Sequence, residues 1–103
     1  LFKPTLAKHN QFRSTKEEFI SYFLGQNKEC IEDYGFAIKN WKSIKFENYK
    51  IVEYNGYFIS MGNYYFEDQK NKLLKVEFTF GFINIGNNEL RINLHHSSLP
   101  YND

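Results

Sequence analysis

The sequence predicts an α+β fold, one helix packed against a strongly bent antiparallel sheet, and three observations predict it. A capped amphipathic stretch lies near the start, hydrophobicity alternates with period two from Trp41 onward, and turn signals then recur at short intervals. At 103 residues the chain suits a single domain with one core. No internal repeat, low-complexity tract or linker divides it.

The start, Leu1 to Phe12, reads as extended. Ser14 with Glu17, and equally Thr15 with Glu18, have capping-box spacing, in which the hydroxyl accepts from a backbone N–H and the carboxylate accepts from another. Phe19, Tyr22 and Phe23 then recur at helical spacing, Ile20 and Leu24 widen the stripe, and Gly25 supplies a left-handed stop. Gln26 to Asn40, with Gly35 inside it, is weakly periodic and reads as loop with one helical turn. The alternating runs are Trp41 to Tyr54, Tyr57 to Phe66, Leu73 to Ile85 and Glu89 to Leu99. Asn55-Gly56 is the strongest turn signal, because both residues tolerate the positive φ of a tight hairpin. In the third run Leu74, Val76, Phe78, Phe80 and Phe82 share one face, with Lys75, Glu77 and Thr79 on the other. In the second run both faces carry large side chains: Tyr57, Ile59, Met61 and Tyr65 on one, Phe58, Tyr64 and Phe66 on the other. A sheet apolar on both faces needs cover on both, so the helix is assigned to one face and a second copy of the sheet, in a homodimer, to the other.

Composition narrows the function. Thirteen basic against twelve acidic residues, interspersed, leave a net charge of +1 and no patch that would attract nucleic acid or an anionic membrane. No run approaches the roughly 18 apolar residues of a bilayer span. Aromatics make up 19% of the chain, from eleven Phe, eight Tyr and one Trp. Part of that reflects Phe and Tyr standing in for Leu; part points to a pocket wall or subunit contact, since Tyr suits surfaces that are apolar with one wet edge. The single cysteine, Cys30, forms no internal disulfide. The chain opens on Leu1 without Met or a charged-then-apolar leader, so its compartment is not legible.

The segment Leu94-His95-His96-Ser97-Ser98-Leu99-Pro100-Tyr101 holds the cluster of catalytic type. Strict alternation from Leu90, Ile92 and Leu94 places His96 and Ser98 on the apolar side and turns His95 and Ser97 away with Arg91 and Asn93. Adjacent strand histidines then cannot share one metal ion, and His9 is remote in sequence, so no metal is expected. A His and a Ser entering the apolar side suit a pocket mouth, and equally suit a pair of satisfied structural hydrogen bonds. Nucleotide-binding, zinc-protease and serine-hydrolase motifs are missing. The carboxylate pairs Glu17-Glu18 and Glu32-Asp33 read as solvated.

Several blocks together are more specific: Leu1-Phe2-Lys3-Pro4-Thr5, Gln11-Phe12-Arg13, Ser21-Tyr22-Phe23, Gly35-Phe36-Ala37-Ile38, Phe46-Glu47-Asn48, Met61-Gly62-Asn63-Tyr64, Lys75-Val76-Glu77-Phe78-Thr79-Phe80-Gly81 and His95-His96-Ser97-Ser98-Leu99-Pro100-Tyr101. In order and spacing they resemble the iota-class carbonic anhydrases along the whole chain. The resemblance implies an NTF2-like cone of the kind seen in the association domain of calcium/calmodulin-dependent kinase II. It also implies a lyase interconverting carbon dioxide and bicarbonate, several members of the class working without metal or other cofactor. Carried over residue by residue, it gives Thr5, Tyr22, His96 and Ser98 as the site, with Thr5, Tyr22 and Ser98 holding substrate and His96 as base or relay. Such cones begin with a long helix that has no counterpart before Leu1, so the resemblance implies a domain extending upstream. A non-catalytic association module of the same fold is the competing reading, and a cone for a bulkier ligand is a weaker third, since a hydroxyl-ringed pocket suits a small anion better.

Overall fold

The computed structural model describes residues 1–25 and 29–102. In chain order it contains β1 (Phe2–Lys3), α1 (Lys16–Leu24), a 3₁₀ turn (Phe36–Ile38), β2 (Trp41–Tyr54), β3 (Tyr57–Asp68), β4 (Leu73–Asn84) and β5 (Leu90–Ser98). The strands form one five-stranded sheet in the order β1-β5-β4-β3-β2. The architecture is α+β, as the sequence predicts, with one correction. The sheet is mixed, because β1 pairs parallel to β5, Phe2 beside His95 and Lys3 beside His96. The extended start is therefore an edge strand, and it brings Pro4 and Thr5 to the end of β5.

Of the two capping boxes the sequence offers, the helix uses Thr15 with Glu18, and Gly25 ends it at φ 68°. The helical turn in the loop is the 3₁₀ turn after Gly35; residues 26–28 of that loop lie outside the described residues. Phe2 joins helix to sheet, its ring 4.8 Å from Phe19, 5.7 Å from Tyr22 and 5.5 Å from Phe23. The core continues through Phe36, Phe66, Tyr64, Val76 and Phe78. Burying this set of mostly aromatic rings is the main stabilising contribution, on the order of 2 kcal/mol for each fully buried large side chain.

The reading of Glu32-Asp33 as solvated is corrected. Asp33 is 4% exposed and takes a bidentate pair from Arg13, Nη1 at 2.7 Å and Nη2 at 2.8 Å, plus the Ser21 hydroxyl at 2.6 Å. Arg13 also donates to the carbonyls of Asn10 and Glu18, so every buried polar atom here is matched. Beside it, the Glu32 carboxylate accepts from the backbone N–H groups of Lys8, His9 and Asn10. These bonds to Asn10, and the N–H of Lys8 and His9 beside it, hold its carboxyl below the usual carboxylate range. Together the two carboxylates fasten the segment after β1 and the helix to the loop that precedes β2.

Candidate active site

A pocket of about 250 Å³ opens between α1, the 3₁₀ turn and the concave sheet face. Its wall is largely aromatic, from Phe2, Tyr22, Phe36, Trp41, Tyr64 and Phe80. The polar groups that enter it are Thr5, Tyr22, Tyr64, His95 and Ser97.

Thr5 and Tyr22 both line this pocket. Tyr22, 3% exposed, is carried inward by the buried face of α1, and its hydroxyl accepts the Leu6 N–H at 3.2 Å. Thr5 follows β1 and lines the pocket near the hydroxyls of Tyr22 and Tyr64, whose pKa burial raises and Thr5 lowers in part.

His96 and Ser98 do not enter the pocket, and that expectation is corrected. They lie on the opposite sheet face, beside Tyr49, Met61, Glu77 and Thr79, where the Ser98 hydroxyl donates to Glu77 at 3.2 Å. His95 and Ser97 point inward in their place. The cause is a β-bulge. Gly81 pairs with Leu94 and Phe82 with Ile92, so Asn93 is an extra residue with no partner on β4. Ile92 keeps the facing that alternation gives it, and every later residue of β5 is inverted. Gly81 makes room for this bulge: a Cβ there would sit 2.7 Å from Asn93 Oδ1 and 3.0 Å from Leu94 Cβ.

Ser97 is 2% exposed and shares a 2.5 Å hydrogen bond with the Tyr64 hydroxyl. Its Oγ also lies 3.3 Å from His95 Nε2. Behind it, the Lys3 ammonium donates to the carbonyls of Pro4 and Ser97, tying the strand ends that carry Thr5 and Ser97. The result is a run of side-chain hydrogen bonds, Tyr64 to Ser97 to His95, with the Thr5 and Tyr22 side chains lining the same pocket. Tyr64 is the member that sequence reasoning missed. Its place on the inward face is readable from alternation, but its partner Ser97 lies 33 residues away on another strand.

Burial raises the hydroxyl pKa of Tyr22 and of Tyr64, so both remain protonated donors at neutral pH. Burial, with the adjacent His96 adding to it, pushes the His95 imidazole down to about 4. Its ring lies among Phe80 at 4.6 Å and Phe2 at 4.9 Å, which solvate no charge. His95 is thus neutral at pH 7. The unfolded chain takes up a proton here from about pH 6.5 downward and the folded one does so only near 4. Stability is therefore full above pH 6.5, falls as the pH drops toward 4, and then levels. NMR titration of the ring should give a midpoint near 4, and a midpoint near that of free imidazole would contradict its burial.

Among the described residues no three His, Cys, Asp or Glu side chains come together to hold a metal ion. His9 is exposed and its backbone N–H bonds Glu32.

Comparison with known proteins meets this geometry. The crystal structure of the iota-carbonic anhydrase from a cyanobacterium complexed with bicarbonate aligns with a TM-score of 0.91 at 38% identity, over 100% of this chain and 63% of that one. The metal-independent carbonic anhydrase of Nostoc sp. (strain PCC 7120 / SAG 25.82 / UTEX 2576) is 39% identical over 102 residues. That match takes in 98% of this chain and 50% of the relative, so the chain spans half the length of the curated protein it matches. The family model for metal-independent carbonic anhydrase matches residues 1–99, nearly the whole chain, and the chain belongs to that family.

Proposed function

We propose that this chain is an iota-type carbonic anhydrase on an NTF2-like cone, hydrating carbon dioxide reversibly to bicarbonate and a proton without a metal ion. The observation that carries the reading is the hydrogen-bonded run Tyr64–Ser97–His95 entering, beside Thr5 and Tyr22, an otherwise aromatic pocket. Carbon dioxide is apolar and suits the ring-lined wall; bicarbonate needs donors, and the hydroxyls of Thr5, Tyr22, Tyr64 and Ser97 supply them. In the forward step a water oxygen bonds to the carbon and one water O–H bond breaks. Negative charge grows on the former carbon dioxide oxygens, where preorganised donors in a dry pocket act most strongly. The water proton passes through the Ser97 hydroxyl to neutral His95, which takes the acceptor role that the resemblance gives to His96. Proton acceptance by a placed side chain contributes on the order of 10²–10⁴-fold.

Titration with ¹³C-bicarbonate followed by protein NMR tests the site. Resonances of Thr5, Tyr22, Tyr64, His95 and Ser97 should shift; shifts confined to His96 and Ser98 would move the site to the other face.

The same reading includes a homodimer through the outer sheet face. Val52 pairs with Ile59 and Tyr54 with Tyr57 across β2 and β3, and these side chains, with Met61, stand exposed on that face. A contiguous apolar patch of this kind favours a partner. Sedimentation should give twice the chain mass; a monomer at micromolar concentration would remove this part of the proposal.

A further inference from the structure

The hydration step leaves a proton inside a pocket walled by rings, and that proton must leave before the next turnover. A second groove lies on the other side of that wall, between the N-terminus of α1 and β5, lined in part by Arg13, Ser14, Lys16, Ile92 and Asn93. Two residues border both spaces, Phe2 and His95, and of these only His95 can carry a proton. We infer that His95 is the exit for the proton, taking it from Ser97 on the pocket side and releasing it into this second groove. The inference rests on the carbonic anhydrase reading above.

The step balances on one ring. With Nε2 accepting from the Ser97 hydroxyl, the neutral imidazole carries its own proton on Nδ1. The water proton arrives at Nε2 through Ser97, the ring turns to present Nε2 to the groove, that same proton leaves there to a buffer base, and the ring turns back with Nδ1 still protonated. The ring starts and ends neutral, so a site that disfavours imidazolium suits a conduit better than a store. The bulge at Asn93 is what gives the ring this position, since without it His95 would face away from both spaces. The charged side chains lining the groove are Lys16, exposed, and Arg13, whose charge is matched by Asp33. The exposed Lys16 cation favours an anionic acceptor such as phosphate or bicarbonate itself.

Ile92 is 57% exposed, borders the groove and does not touch the pocket, so Ile92→Trp fills the exit at little expected cost to folding. Stopped-flow hydration at low buffer concentration should show a severalfold fall in kcat with kcat/KM for carbon dioxide unchanged. His95→Ala should lower both constants, on the order of a hundredfold, with recovery on adding imidazole. Lys16→Glu, favourable at a helix N-terminus, should weaken the response of kcat to phosphate and leave its response to imidazole buffer intact. An active protein whose Ile92→Trp and Lys16→Glu variants keep wild-type kcat in dilute phosphate would overturn the exit route and leave the carbonic anhydrase reading standing. A wild-type protein with no hydration activity would overturn that reading and the route with it.

Discussion

Replacing Ser97 by Ala should lower kcat/KM for carbon dioxide hydration by about 10²–10³-fold, the usual cost of losing one placed donor where charge develops. Replacing Ser98 should leave the rate within about twofold, because its hydroxyl pairs with Glu77 on the far face and touches nothing in the pocket. Ser97 stands between Tyr64 and His95, so its removal both deletes a donor and breaks the path to the base. It also strands the buried Tyr64 hydroxyl, and a stability loss of about 1–3 kcal/mol should accompany the kinetic one. Stopped-flow on the two variants, with denaturant unfolding to separate folding from chemistry, checks both parts. If Ser98→Ala proved the slower enzyme, the bulge at Asn93 would be misplaced and strict alternation restored.

The largest stability effect is expected at the buried pair. Asp33→Ala leaves the Arg13 guanidinium, 1% exposed, without its counter-charge, and breaking such a pair from one side costs about 3–5 kcal/mol. Against a typical domain stability of about 5–15 kcal/mol this is a large fraction. The denaturant midpoint should fall steeply, while Arg13→Met with Asp33→Leu should recover much of the loss, since two apolar side chains leave no orphaned charge. The pair also holds the Tyr22 helix and the chain after β1 in place, through Ser21 and through the paired backbone of Phe2 and Arg13. Loss of activity in Asp33→Ala should therefore follow loss of fold. A midpoint within about 1 kcal/mol of wild type would show that water or another group compensates the charge.

What was legible in the sequence was what local chemistry decides. Thr15, Glu18 and Gly25 mark the helix because caps act within one turn. Asn55-Gly56 marks the β2–β3 hairpin because both residues adopt positive φ, 49° and 81°. Facing along β3 and β4 follows from alternation, since neither strand is interrupted on the side that meets the helix. The site at the end of β5 was legible in composition and not in facing. Its inversion is set by the pairing of Gly81 with Leu94 across two strands, and alternation along β5 alone carries no trace of it. The usable signal sat on the neighbouring strand. Gly81 interrupts a run of Phe residues, and a glycine inside a strand pattern commonly marks a bulge or a close backbone approach. Gly62 does the same on β3, where a Cβ would strike the Glu47 carbonyl beside the irregularity at Tyr49. The Arg13–Asp33 pair was not legible because its members lie 20 residues apart, and only the fold brings them together.

The bulge also changes the chemistry assigned to the imidazole. An outward His96 would be a solvated surface group, whereas His95 sits among Phe2, Phe80 and the rings of α1 and is held neutral there. The high aromatic content thus serves the proposed reaction twice, as an apolar wall for carbon dioxide and as the low-dielectric surround that keeps the proton acceptor free of charge.

Stopped-flow hydration of carbon dioxide by metal-stripped protein, with chelator present throughout, decides whether the pocket works without a metal ion. A metal-independent site gives a rate clearly above the buffer blank that added zinc or manganese does not raise. A rate equal to the blank, or one that appears only when a metal is supplied, would contradict such a site.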